Sequence, residues 1–346
     1  MTGTKRERKR YDGVDGLRAY AIMGIVLMHV RYNGEYQVDG FIFNRIIPSF
    51  TNFVFLFMMM SGFGMCCGYF DKLLNHRITI EDFYTKRYAK NWPFFALLCF
   101  LDLLISPGLN TFYEVFANLT LCFGLLPNAN IGVIGVGWTL GVIFVFYLLF
   151  PFFCYLLGNR KRAWLTLSAT LIFNILCGVY FFDANHMPGN FQARTSFIYC
   201  AVYFAAGGMI YLYKDSLSKM AGKYRWSIWI CCMLSIVLYF AIGASTVTIL
   251  LVNALLLIYT IGITRQGGLL CNPYIKFLGS ISFEIYLCHM VIYRILEKLH
   301  LLHVHESDLI SYCMAAIGTI GGSVLFALCG RYFLNAVNRL YHRYAR

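Results

Sequence analysis

The chain has 346 residues, of which 59% are hydrophobic and only 13% charged, with a formal net charge of +13 and a mean hydropathy of +0.63. A soluble domain of this length needs far more charge to cover its surface, so the composition excludes a soluble enzyme and points to a polytopic membrane protein. The basic excess does not indicate nucleic acid, because Lys and Arg recur in the short gaps between apolar runs rather than forming one patch.

Residues 1–13 hold the basic run Lys5 to Arg10 and read as a solvated cytoplasmic tail. The apolar run that follows is too long for a cleavable signal peptide and lacks a small-residue cleavage pattern. Ten spans are expected, at 14–32, 48–69, 89–106, 134–157, 163–182, 196–213, 226–241, 245–263, 274–296 and 309–333, with a second basic tail at 334–346. Residues 114–126, which end before Pro127, are too short to cross and read as re-entrant or interfacial. With the amino terminus inside, inner segments carry 23 Lys and Arg and outer ones 5. That asymmetry predicts an all-α, ten-transmembrane-helix bundle with both termini cytoplasmic, in the plasma membrane. Thirteen cysteines fall almost entirely inside spans and no CxxC occurs, so small apolar packing is expected rather than a disulfide or a metal site.

The first span, VDGLRAYAIMGIVLMHV, carries Arg18 and His29. Eleven residues at about 100° each return to within about 20° of the same face, so both are expected in one cavity, about 16 Å apart along the axis. Asp15 shares that face and can neutralise Arg18. An arginine inside a span costs roughly 2.5–3.5 kcal/mol on insertion scales, which makes it a functional candidate. The second span, FVFLFMMMSGFGMCCGYF, offers Ser61, Gly62, Gly64 and Gly68 as small positions where a helix or a ligand chain can come close.

The next inner loop is the richest in charge. Arg87 and Lys90 share a helix face at the inner mouth where Arg18 lies, with Lys86 beside them, a candidate anion site. Asp102 sits inside the third span. Asn118-Leu119-Thr120 matches a glycosylation triplet in an apolar setting that makes it a chance match. The fourth span opens with Trp138 and contains Tyr147 and Pro151; the fifth to eighth read as packing helices. In the ninth, Ser282, Tyr286 and His289 lie on one face. His289 is about 20 Å along from Lys276 and His29 about 22 Å along from Val14, so the two imidazoles lie at comparable depth.

In these stretches the chain resembles the acyltransferase-3 family of membrane O-acyltransferases. DGLRAYAIMGIVLMH is similar to the family's signature of arginine, ten residues and histidine. FMMMSGFGM is similar to its second-span Ser-Gly-Phe motif, RYAK to its Arg-x-x-Arg, WTLGVIFVFYLLFP to its tryptophan-to-proline motif and LGSISFEIYLCH to its penultimate span. The resemblance implies a 14–333 transmembrane domain that moves an acyl group, acetyl by default, from cytoplasmic acyl-CoA to a hydroxyl of an extracytoplasmic glycan or lipid-linked acceptor. It implies His29 as base and Arg18 in the donor site. Ser61, Lys86, Arg87 and Lys90 join the donor site, and Trp138, Tyr147, Ser282, Tyr286 and His289 the substrate site or the oxyanion. Lys90 stands where the family has a second arginine. Ile143 stands where one branch has a glutamate that would orient His29, leaving Asp102 and Glu114 as substitutes. No metal is implied, membrane lipids and acyl-CoA are the implied partners, and homo-oligomerisation is left open. The alternative is a secondary transporter using the buried Arg and His as a substrate or proton path. Missing internal repeats and an expected absence of paired broken helices count against it.

Overall fold

The computed structural model describes residues 11–125, 134–182, 186, 192–263 and 267–344, so most of the expected 1–13 tail lies outside the described residues. Among these the chain is all helix with no strand. In order the helices are α1 Asp12–Asn33, α2 Ile42–Leu74, α3 Ile80–Ile105, α4 Leu109–Leu119, α5 Trp138–Leu157, α6 Arg160–Phe181 and α7 Phe197–Leu212. They continue with α8 Lys214–Lys223, α9 Arg225–Ile242, α10 Thr246–Ile261, α11 Pro273–Ser280, α12 Ser282–Lys298 and α13 Asp308–Tyr344. Several starts are set by capping side chains. Thr79 accepts from the Asp82 amide at 3.0 Å, Ser245 and Thr248 form a capping box, and Asn272 caps α11 with Pro273 in its first turn.

Seven of these helices are long and apolar enough to cross a membrane, or nine if each of two bent pairs counts as one span. The eighth expected span, 245–263, is the one left out of this count: it is the helix α10, of only 16 residues. The bent pairs are α7 with α8, at 77°, and α11 with α12, at 72°. The second bend corrects the expectation of an unbroken ninth span. Ile281 leaves helical geometry at φ −109°, ψ 9°, and the Ser282 hydroxyl folds back on the Gly279 carbonyl at 2.8 Å. The carboxy-terminal helix runs through the region expected as a tail, to Tyr344. The 114–126 piece is short, as expected: α4 is followed by a 3₁₀ turn at Cys122–Leu125, and Trp92 of α3 donates its indole N–H to the Leu119 carbonyl at 2.9 Å. Asn118 is buried and its amide bonds the Glu114 carbonyl at 2.7 Å, a packing role rather than a glycan acceptor.

The bundle is centred on α1 and α2, whose spanning windows are each 67% buried, whereas α6 and α9, at 11% and 17%, face outward. In a membrane, association rests on close packing rather than on expelling water, and glycines supply it. A Cβ at Gly62 of α2 would lie 2.4 Å from the Phe204 carbonyl oxygen of α7. One at Gly16 or Gly279 would meet, at 2.0 Å, the backbone of Leu270 or of Asp15. These last two contacts clamp the amino-terminal half of α1 to α11 and to the turn before it, and so carry the bend at Ile281 to the side of Arg18.

Candidate active site

Two cavities open between these helices, and most of the residues singled out in the sequence line one or the other. The first, of about 590 Å³, is lined by Asp15, Arg18, Ser61, Arg87, Lys90, Ile143, Tyr147, Ser282, Glu284 and Arg331 among others. The second, of about 930 Å³, is lined by His29, Arg31, Asp102, Trp138, Arg194, Arg294 and Lys298 among others. Val54 and Tyr286 line both and form the wall between them. Arg18 and His29 do share a face of α1, as the spacing requires, but the expected single cavity is divided. The Tyr286 side chain enters at the intermediate level and its hydroxyl donates to the Val136 carbonyl at 3.2 Å.

The first cavity is a basic and aromatic cleft. On α3, Arg87, Lys90 and Asn91 fall three and four residues apart and so project into it together. Thr139, Ile143 and Tyr147 do the same from α5. Arg18 Nη1 lies 3.3 Å from Asp15 Oδ1, and a Cβ at Gly64 would sit 3.4 Å from Arg18 Nη2, so the guanidinium lies directly over this small position. Arg87 is met by π-faces and a phenol rather than by a carboxylate. Its Nη2 donates to the Tyr69 hydroxyl at 2.6 Å, and its carbon centre stands 4.5 Å and 5.9 Å from the Tyr69 and Tyr147 ring centroids. Its Nε is buried and without a partner among the described residues. Asn91 donates to the Tyr147 hydroxyl at 3.0 Å, fixing that ring. Among the described residues four cations therefore face two carboxylates, and the first turn of α12 adds the positive end of its dipole beside Ser282 and Glu284. An anion with several phosphate oxygens fits such a lining.

Lys86 does not belong to this set: it is exposed and lines neither cavity, because one residue turns it about 100° away from Arg87. Arg331, one of the 23 Lys and Arg counted to the inner side, is an addition to it. It reaches into the cleft, with Nε 2.6 Å from Glu284 Oε1 and Nη2 donating to the Ser280 carbonyl at 2.5 Å. Glu284 was missed as well, although a glutamate inside an apolar span was the signal that would have found both. Ile143 lies in this basic cleft and not beside His29, so a glutamate at its position would face arginines.

In the second cavity His29 stands against His289, with ring centroids 5.1 Å apart. His289 is fully buried and lines neither cavity; it packs behind His29. Its Nδ1 lies 2.7 Å from the Tyr286 carbonyl oxygen. A carbonyl only accepts, so Nδ1 carries the proton and Nε2, which has no partner among the described residues, is the bare nitrogen. Asp102 shares the cavity with His29, eleven residues beyond Asn91 on α3, whereas Glu114 is exposed and lines neither cavity. Arg194, taken in the sequence as an outer-loop charge, is the main addition. Its guanidinium donates to Thr51 Oγ1 and to the Thr51 carbonyl, both at 3.0 Å, and stands 5.7 Å from the Trp138 ring centroid. Among the described residues no group of three His, Cys, Asp or Glu side chains is arranged to hold a metal.

An all-helical bundle with seven to nine candidate spans, in which a basic cleft abuts an imidazole cavity, defines the class as a multi-pass membrane protein rather than a soluble enzyme. The sequence gives the class a family: residues 11–328 match the acyltransferase domain of the acyltransferase-3 family, and the chain belongs to that family. It is similar to "Putative peptidoglycan O-acetyltransferase YrhL" of Bacillus subtilis (strain 168), 23% identical over 225 residues, 55% of this chain and 31% of the relative. The chain thus matches about a third of the length of that curated relative. No solved structure matches it.

Proposed function

We propose that the protein is an O-acyltransferase of the plasma membrane, with ten spans and both termini in the cytoplasm as the Lys and Arg asymmetry predicts. Acyl-CoA, acetyl-CoA by default, enters the basic cleft from the cytoplasm. Arg18, Arg87, Lys90 and Arg331 hold its phosphates. Its thioester arm passes Ser61 and Tyr147 toward the Tyr286 wall. The acceptor, an extracytoplasmic glycan or lipid-linked hydroxyl, occupies the other cavity, as peptidoglycan would by analogy with the relative's name. His29 takes the hydroxyl proton as the oxygen attacks the thioester carbon. The C–S bond breaks, the acyl ester forms, and the proton passes to the departing CoA sulfur. A base so placed is worth about 10²- to 10⁴-fold in rate. The Tyr286 hydroxyl is the donor best placed to turn toward the developing oxyanion, since it borders both cavities.

What supports this reading above all is the meeting of two cavities of different chemistry at one residue, Tyr286: phosphate-binding groups on one side, an imidazole on the other. The test is binding of labelled acetyl-CoA to purified protein, then transfer to glycan acceptors. Binding that disappears in Arg18→Ala supports the donor site. No binding to folded wild-type protein removes it and favours a secondary transporter, a reading the two bent helix pairs keep in view.

A further inference from the structure

The outer cavity is charged in a way that acid-base chemistry at His29 does not require. Arg31, Arg194, Arg294 and Lys298 line it, against a single carboxylate, Asp102, among the described residues of its wall. Arg31 is spent on local structure, its Nε on the Phe43 carbonyl at 2.7 Å and its Nη2 on Asn44 at 3.1 Å. Arg294 pairs with Glu297 at 2.7 Å and, like Lys298, is exposed, so these two stand at the open end. Arg194 differs from all three. Thr51 fixes it at two points and the rings of Phe55 and Trp138 lie 5.5 Å and 5.7 Å from its carbon centre. Its Nε is buried with no partner among the described residues. Thr51 engages two of its five N–H donors. A guanidinium held rigidly by one residue and two aromatic faces, with donors left over and no carboxylate against it among the described residues, is preorganised for an anion from outside the protein.

We propose that the acceptor is an anionic glycan, whose carboxylate or phosphate seats on Arg194 and thereby presents a neighbouring hydroxyl to His29. Arg294 and Lys298 draw it in by long-range attraction. This rests on the acyltransferase reading for the hydroxyl's fate, but the anion site stands on its own geometry. A neutral glycan leaves Arg194 desolvated and unpaired, so discrimination follows from the cost of that loss as much as from the gain with an anion.

The test is equilibrium binding of fluorescent oligosaccharides to the purified full chain in detergent, without donor. The set comprises a neutral oligosaccharide, the same backbone bearing a carboxylate, and the same backbone bearing a phosphate monoester. At least one anionic form is expected to bind about tenfold or more tighter than the neutral one, and whichever of the two does so identifies the anion. Arg194→Gln should abolish that preference and Arg194→Lys restore part of it. Should Arg194→Gln misfold, the exposed pair Arg294→Gln and Lys298→Gln should lower anionic affinity and its salt dependence without touching neutral binding. Equal binding of all three glycans, or full preference in folded Arg194→Gln, overturns the proposal. Acetyl-CoA binding, measured in parallel, judges the donor site separately: its loss with glycan selectivity intact removes the donor assignment and leaves the anion site.

Discussion

A methyl group added at Gly62 and one added at Gly64 should have opposite consequences, though the two positions lie in one four-residue stretch. At Gly62 the new Cβ lies 2.4 Å from the Phe204 carbonyl oxygen, and at Gly64 3.4 Å from Arg18 Nη2. The first is about 1 Å inside van der Waals contact with backbone that has no rotamer to change, so α2 and α7 must separate. Forced repacking of this kind costs about 1–3 kcal/mol. The second is ordinary contact with the end of a flexible side chain. Both substitutions gain the same helix propensity, about 1 kcal/mol, which cancels when they are compared with each other. Gly62→Ala is therefore expected to be less stable than Gly64→Ala by about 1–3 kcal/mol, read as thermal midpoint or SDS resistance of the purified protein. Conversely Gly64→Leu should fold and yet fill the cleft beside Arg18, weakening acetyl-CoA binding. Equal stability of the two alanine variants, or a larger loss at Gly64, would refute the division of the motif into a packing glycine and a cavity glycine.

His29→Ala should reduce acyl transfer by about 10²- to 10⁴-fold while leaving acetyl-CoA affinity unchanged, because His29 and the proposed phosphate-binding groups line different cavities; loss of binding would place His29 on the donor side. Arg87→Gln should raise the Kd for acetyl-CoA by roughly 10- to 100-fold, the worth of a charge-assisted hydrogen bond to phosphate, and an unchanged Kd would move the phosphates elsewhere. Glu284→Gln releases Arg331 from its carboxylate and removes a negative charge from the cleft, so acetyl-CoA should bind more tightly; weaker binding would show that the pair is needed to shape the site. Tyr286→Ala opens the wall, and CoA thiol should then be released from acetyl-CoA without any acceptor, measured with a thiol reagent; no increase would mean that something else separates the cavities.

Much of this was legible because helical spacing is reliable in a membrane. Arg18 and His29 share a face, Arg87 and Lys90 project together, and the two histidines meet, as their depths along the first and ninth spans required. Periodicity states which residues lie on one face of a helix, not what stands opposite. Tyr286 comes from a helix more than 250 residues away in sequence, and its insertion between Arg18 and His29 is a tertiary event that no local pattern encodes. The same limit misplaced Ile143, expected beside His29 and found among the arginines. Arg331 and Arg194 were hidden differently: their value as topology signals accounted for them fully, so no residual cost marked them as functional. The bend at Ile281 has no proline to announce it, only Gly279 and a serine whose hydroxyl turns back on the preceding turn.

The Tyr286 wall also has an electrical meaning. A polar recess that communicates with one aqueous phase carries that phase's potential to its floor, so most of the membrane voltage must fall across the few side chains between the two recesses. Moving one elementary charge through that thin layer involves about 2.3 kcal/mol per 100 mV. In the proposed transfer a neutral acyl group would cross this layer without feeling the field, whereas the donor's phosphates would be held to their own side. The charge that the proposed transfer would carry through this layer is the acceptor's proton, on its way from His29 to the CoA sulfur, so its rate would depend on the membrane voltage.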